Sequence, residues 1–144
     1  MARAHVTNLL TAPLRTLSPE TRGTHRLLMQ GAEAASTVDM IRFDIRTRQQ
    51  GVYHLHERTD NVMLVLAGTL EMIVDGERHI LRENDMIYIP RGVAHSSASG
   101  WDGSVQGIEI YAPVRGTDSV PVEIPTEIRD AAPPVASQDQ KTLV

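Results

Sequence analysis

From about residue 40 to residue 112 the chain breaks into short runs in which apolar and polar side chains alternate, and each run is closed by turn-forming residues. That pattern commits the chain to antiparallel strands, because an alternation of period two buries one face of a pleated strand and of nothing else. In residues 40–46, Ile41, Phe43 and Ile45 share one face, opposite Arg42, Asp44 and Arg46. Further runs cover 52–56, 62–66, 69–74, 77–81, 86–89 and 105–111. Asp75-Gly76 is a hairpin signal, since a type I′ turn needs positive φ at both central residues. Asn84-Asp85 makes a second turn, and Pro90 ends the run before it. Strands at this spacing predict an all-β sandwich or barrel. No segment carries a helical period.

The flanks read differently. Residues 1–23 are broken by Pro13, Pro19 and Gly23 and are expected to form an N-terminal arm, with room for a short strand. The domain is expected to span 24–125, opening with a strand over 24–30. After Pro113 come Pro121, Pro125, Pro133 and Pro134, and residues 126–144 are expected to be a flexible tail. Val120, Val122 and Ile124 alternate, which suits an edge strand within the chain or across a dimer.

At 144 residues the length suits one domain. With one Phe, one Trp and three Tyr, the core must rest on Val, Ile, Leu and Met. There is no Cys, which excludes a thiolate metal site and fits a reducing, cytoplasmic setting. A formal net charge of −4 argues against a broad nucleic-acid-binding face. No apolar run approaches the ~20 residues of a membrane span, and the N-terminus does not read as a signal peptide.

His54 and His56 are two apart on a predicted strand, so their side chains share a face with roughly 6.6 Å between backbones. Two such imidazoles can meet on one ion, or they can be two surface histidines; the pair alone fits both. Their context is more specific. Within the stretch GVYHLHERTDNVMLVLAG, His54, His56 and Gly68 match the first motif of the cupin superfamily. Within NDMIYIPRGVAH, Asp85, Pro90, Gly92 and His95 match the second, and the hairpin at Asp75-Gly76 fits the segment between them. The resemblance covers about residues 40–112. It implies a single cupin double-stranded β-helix, the jelly-roll barrel, with one divalent metal ion (Fe, Zn, Ni or Mn) on His54, His56 and His95.

The chain departs from the pattern where the family carries an acidic ligand. Counting back from Gly68 puts Asn61 at that position, with Asp60 one residue earlier. A one-residue shift turns a strand side chain to the other face, so Asn61 is expected at the metal and Asp60 in solvent or on a loop amide. Asn84 replaces the second motif's Gly, and Ser99 stands where an Asn often follows. Three neutral imidazoles and an amide leave the ion's +2 charge uncompensated, which favours anionic ligands. The expected substrate therefore chelates through an enolate, carboxylate or 1,2-dioxygen unit.

Met63 and Val65 share parity with Asn61 and are expected to line the pocket, with Trp101 capping its mouth or meeting a dimer partner. Glu109 and Tyr111 share a face of the last strand and are candidates for general acid and base. Glu57 and Tyr53 alternate away from the ligands. Two functions fit. One is a metal-dependent enzyme on a small molecule, either an Fe(II) dioxygenase or a Lewis-acid lyase, isomerase or cyclase. The other is a non-catalytic cupin that binds a sugar or other metabolite. Cupins commonly pair through edge strands, so a homodimer is expected.

Overall fold

The computed structural model describes residues 4–17, 22–31, 37–100, 102–114 and 119–125. Among the described residues eleven strands follow one another: β1 (Leu14–Thr16), β2 (Gly23–Met29), β3 (Asp39–Ile45), β4 (His54–His56), β5 (Asp60–Gly68), β6 (Leu70–Val74), β7 (Glu77–Leu81), β8 (Met86–Ile89), β9 (His95–Ser99), β10 (Val105–Ala112) and β11 (Ser119–Pro121). They form a six-stranded sheet in the order β1-β2-β3-β10-β5-β8 and a five-stranded sheet in the order β11-β4-β9-β6-β7. The strand pairings are antiparallel, and from β3 onward the chain crosses to the other sheet at every step except the β6–β7 hairpin, giving the all-β jelly roll. Among the described residues no helix is long and apolar enough to cross a membrane.

Period-two patterning builds the core. Phe43 and Ile45 of β3 meet Met63 and Val65 of β5, Val105 of β10 and, from the facing sheet, Leu70, Met72 and Leu81. Phe43, the sole phenylalanine, is buried, and Gly107 of β10 leaves it room. A Cβ at Gly107 would lie 2.3 Å from Phe43 Cζ and 2.3 Å from the Leu64 carbonyl oxygen. The β6–β7 hairpin turns at Asp75 (φ 48°) and Gly76 (φ 81°), the doubly positive pair that a type I′ turn requires.

One feature differs from the sequence reading, and two fill in what it left open. β9 was not expected as a strand, because His-Ser-Ser-Ala-Ser has little β-branched character; pairing along β6 from Leu70↔Ser99 to Val74↔His95 imposes it. β1, inside the stretch read as an arm, is the edge strand of the larger sheet and pairs with β2. The C-terminal edge strand pairs within the chain: Ser119 and Pro121 of β11 oppose His56 and His54 of β4. Residues 126–144 and Trp101 lie outside the described residues.

Candidate metal centre

β4 and β9 bring the histidines together. His54 and His95 are direct Cα partners, and His56 lies two residues further along β4 on the same side. The chain reaches His95 through a turn after Pro90 in which Gly92 takes φ 80° and donates its N–H to the His56 carbonyl at 2.7 Å. A second tie holds the same turn: the Asp60 carboxylate accepts the backbone N–H of Arg91 at 3.0 Å and pairs with its guanidinium. Arg91 thereby holds the Asp60 carboxyl at about 2, below its ordinary range.

The donor nitrogens of His54, His56 and His95 all lie within 4.8 Å of one another. Ring centroids are 4.9 Å apart for His54 and His56, 4.5 Å for His54 and His95, and 5.4 Å for His56 and His95. Nδ1 of His54 donates to the Val52 carbonyl at 2.7 Å and Nδ1 of His95 to the Val93 carbonyl at 3.0 Å. A carbonyl only accepts, so both rings carry their proton on Nδ1 and present a bare Nε2. Nε2 of His95 is buried without a hydrogen-bond partner. Burial pushes the His95 imidazole down to about 4, against the pull of the Val93 carbonyl, so the ring is neutral at physiological pH. Three imidazoles whose donor nitrogens lie this close together fit a divalent borderline metal such as Fe, Ni or Zn.

Beside the histidines opens a cavity of about 420 Å³ whose wall includes His54, His95, Met63, Glu109 and Tyr111. Tyr111 is buried, its ring centroid 5.5 Å from that of His56 with the two planes at 77°. Asn61 is 1% exposed and its Nδ2 donates to Glu109 Oε1 at 2.8 Å. Of the two adjacent candidates, then, Asn61 faces inward and Asp60 holds Arg91. Met63 lines the cavity. Val65 is packed in the core with Phe43 and Leu70. Glu57 is exposed, and Tyr53 is buried with its hydroxyl accepting the Gly76 N–H.

The sequence reading missed Arg22 and His25, both on the cavity wall. Arg22 is 6% exposed and donates to the Ser97 carbonyl at 2.5 Å, to Ser97 Oγ at 3.2 Å and to the Gln49 carbonyl at 3.2 Å. Burial lowers its pKa, opposed by the charge of Glu109. Gly51 makes space for this guanidinium: a Cβ there would lie 2.6 Å from Arg22 Nη1.

A jelly roll with three histidines positioned to hold a metal on a strand pair of its smaller sheet defines a small β-barrel class, and comparison with known proteins says which kind. A cupin-domain family model matches residues 41–111. The chain is 33% identical over 89 residues to an uncharacterized protein of Aquifex aeolicus, covering 61% of this chain and 73% of that one. It is 46% identical over 43 residues to quercetin 2,3-dioxygenase of Bacillus subtilis, but these are 30% of this chain and 13% of the dioxygenase. Its fold resembles the polyketide cyclase RemF of Streptomyces resistomycificus, with a TM-score of 0.71 at 18% identity, over 88% of this chain and 90% of that one. The chain belongs to the cupin superfamily.

Proposed function

We propose that this cupin is a metal-dependent enzyme of non-redox Lewis-acid type, a lyase, isomerase or cyclase. Its substrate would be a small oxygenated metabolite that chelates through an enolisable carbonyl, carboxylate or 1,2-dioxygen unit. The observation that carries the reading is that Glu109 and Tyr111 share one cavity wall with His54 and His95. A proton-accepting carboxylate and a proton-donating phenol then flank the place where chelating oxygens would sit. A divalent ion on His54, His56 and His95, with Asn61 beside them, supplies Lewis acidity when bound. Glu109 removes a proton from the carbon next to the chelating group, and Tyr111 returns one. Ile41, Met63 and Met72 give the cavity apolar walls that limit water. Arg22 supports an anionic substrate, because a buried guanidinium on the wall favours a carboxylate. A cavity of about 420 Å³ accommodates a small metabolite.

Oxygen chemistry is the second reading, favoured by the partial match to quercetin 2,3-dioxygenase. One series of measurements separates the two readings from a non-catalytic binding cupin. Protein purified without an affinity tag is analysed for metal, then incubated with pyruvate in D₂O. The proposal expects bound metal and deuterium entering the methyl group, slowed in Glu109→Gln. Oxygen uptake with chelating substrates such as flavonols, with no exchange, favours the dioxygenase. Ligand binding without exchange or oxygen uptake favours the binding protein.

The homodimer expected from the sequence is part of the same proposal. Its support is the outer face of the larger sheet, where Met86, Tyr88 and Leu66 are exposed and Val62 and Leu64 lie between them. Light scattering of the purified chain tests it, and the mass of a single copy would count against it.

A further inference from the structure

We infer that Glu109 sets the orientation of the Asn61 amide, so that the Asn61 carbonyl oxygen is an oxygen donor to the ion held by the three histidines. This inference rests on the three-histidine reading above and adds to it the device that replaces the missing acidic ligand.

A side-chain amide has one donating and one accepting end, and only the donating end can face a carboxylate. Asn61 Nδ2 donates to Glu109 Oε1 at 2.8 Å, which fixes the NH₂ group toward β10. The other end is thereby turned away from Glu109. Asn61 is 1% exposed, and its Oδ1 is buried with no hydrogen-bond partner. Buried carbonyl oxygens are seldom left without one, so this atom is either a defect or a ligand held ready.

Its surroundings favour the ligand. Asn61 is the Cα partner of Tyr111, whose ring packs T-shaped against that of His56. Glu109 acts on His95 through its charge and shares the cavity wall with it. Asn61 thus pairs in register with one residue and hydrogen-bonds to another, one with its ring near His56 and the other on the cavity wall with His95. Glu109 is not among the groups whose donor atoms converge on one point with the histidines. Its effect on the ion is assigned to the hydrogen bond that Oε1 receives from the amide, which leaves Oε2 for the proton transfer proposed above.

The arrangement parallels the carboxylate that orients a metal-bound histidine from behind. A negative charge behind the N–H also makes the amide oxygen a better donor, because hydrogen-bonded groups in series polarise one another. The family position that would hold an acid is then divided between two strands. β5 supplies the oxygen, and β10 supplies the charge.

The bland rival is a hydrogen bond that merely joins β5 to β10. A double-mutant cycle on metal affinity separates the two. The full chain is stripped with a chelator, and Zn²⁺ affinity is measured by competition with a chromophoric chelator for wild type, Asn61→Ala, Glu109→Ala and the double variant. Each single change should weaken binding roughly 10–100-fold, and the double variant should be no weaker than Asn61→Ala. The visible spectrum of bound Co²⁺ should change alike in the two single variants. Unchanged affinity in Glu109→Ala, or losses that multiply in the double variant, would overturn the inference. Glu109→Gln covers the case in which the alanine variant does not fold. Its amide oxygen can accept the same N–H, so it should keep most of the affinity; a loss as large as that of Asn61→Ala counts against orientation. His95→Ala is the control for the parent reading. If it binds Zn²⁺ as wild type does, the three-histidine site fails, whatever the cycle shows.

Discussion

His54 and His95 are Cα partners across β4 and β9, and their rings lie 4.5 Å apart at a tilt of 52°. They form the one register pair recorded between those strands, so an ion shared by the two rings would fasten a weakly laddered seam of the smaller sheet. Metal that binds the folded chain and not the unfolded one must stabilise it. At free metal about 100 times Kd the gain is about 2.7 kcal/mol, and the rise in Tm is on the order of 10 °C. We expect stripped protein to gain this on adding Zn²⁺ or Ni²⁺ in a thermal melt. His95→Ala should gain almost nothing. Coincident melts of wild type with and without metal would refute the site.

How much of this could be read in advance depended on how local the cause was. Ile41, Phe43 and Ile45 alternate and are buried, and the Asp75-Gly76 turn needs only its own backbone angles. The inward facing of Asn61 followed from parity along β5. Parity gives Met63 and Val65 the same inward face and does not tell cavity wall from core. β9 was hidden because its small polar residues become a strand through neighbours: Leu70 to Val74 on one side, and on the other the Gly51 N–H to the Ser97 carbonyl. Arg22 was hidden for the same reason. Its partner Ser97 lies 75 positions away, and no local pattern marks an arginine that will be buried.

Asp60 is the acid nearest the position where the family carries a ligand, and the structure gives it other work. It holds Arg91 in the turn that delivers His95. Its folded pKa of about 2 lies below the ordinary 3.8, so the folded state favours the ionised form. The resulting stabilisation is present above pH 3.8 and is lost as pH falls through 2. An NMR titration of the Asp60 carboxyl carbon should find that low midpoint. In Arg91→Met it should move up toward the ordinary value. A wild-type midpoint near 4 would remove the ion pair from the account of the turn.

Gly51 offers a way to move Arg22 without deleting it. A Cβ at that position would stand 2.6 Å from Nη1 and 2.8 Å from Cζ of Arg22, so Gly51→Ala must displace the guanidinium. If Arg22 recognises an anionic group, oxalate or malonate binding to the Zn²⁺-loaded protein should weaken by roughly tenfold or more, the scale of a lost charge-assisted hydrogen bond. Arg22→Met should do the same, and Zn²⁺ affinity should hold in both. Calorimetry that finds undiminished anion binding in both variants would take Arg22 out of substrate recognition.

Asn61→Glu restores the acid that the family pattern carries and tests the charge of the centre. Without metal, the new carboxylate lies beside Glu109 at a position 1% exposed and loses the N–H that Asn61 gives to Glu109. Two adjacent like charges, one of them buried, with no donor between them are unfavourable. Stripped Asn61→Glu should therefore be less stable than stripped wild type by about 2 kcal/mol or more, read from urea denaturation. Metal should restore most of this difference, because the ion then lies against the added charge. The same added charge lowers the net charge of the loaded centre, so oxalate should bind more weakly to Zn²⁺-loaded Asn61→Glu than to loaded wild type. Equal oxalate affinities in the two loaded proteins would show that the amide at this position does not tune the site for anions.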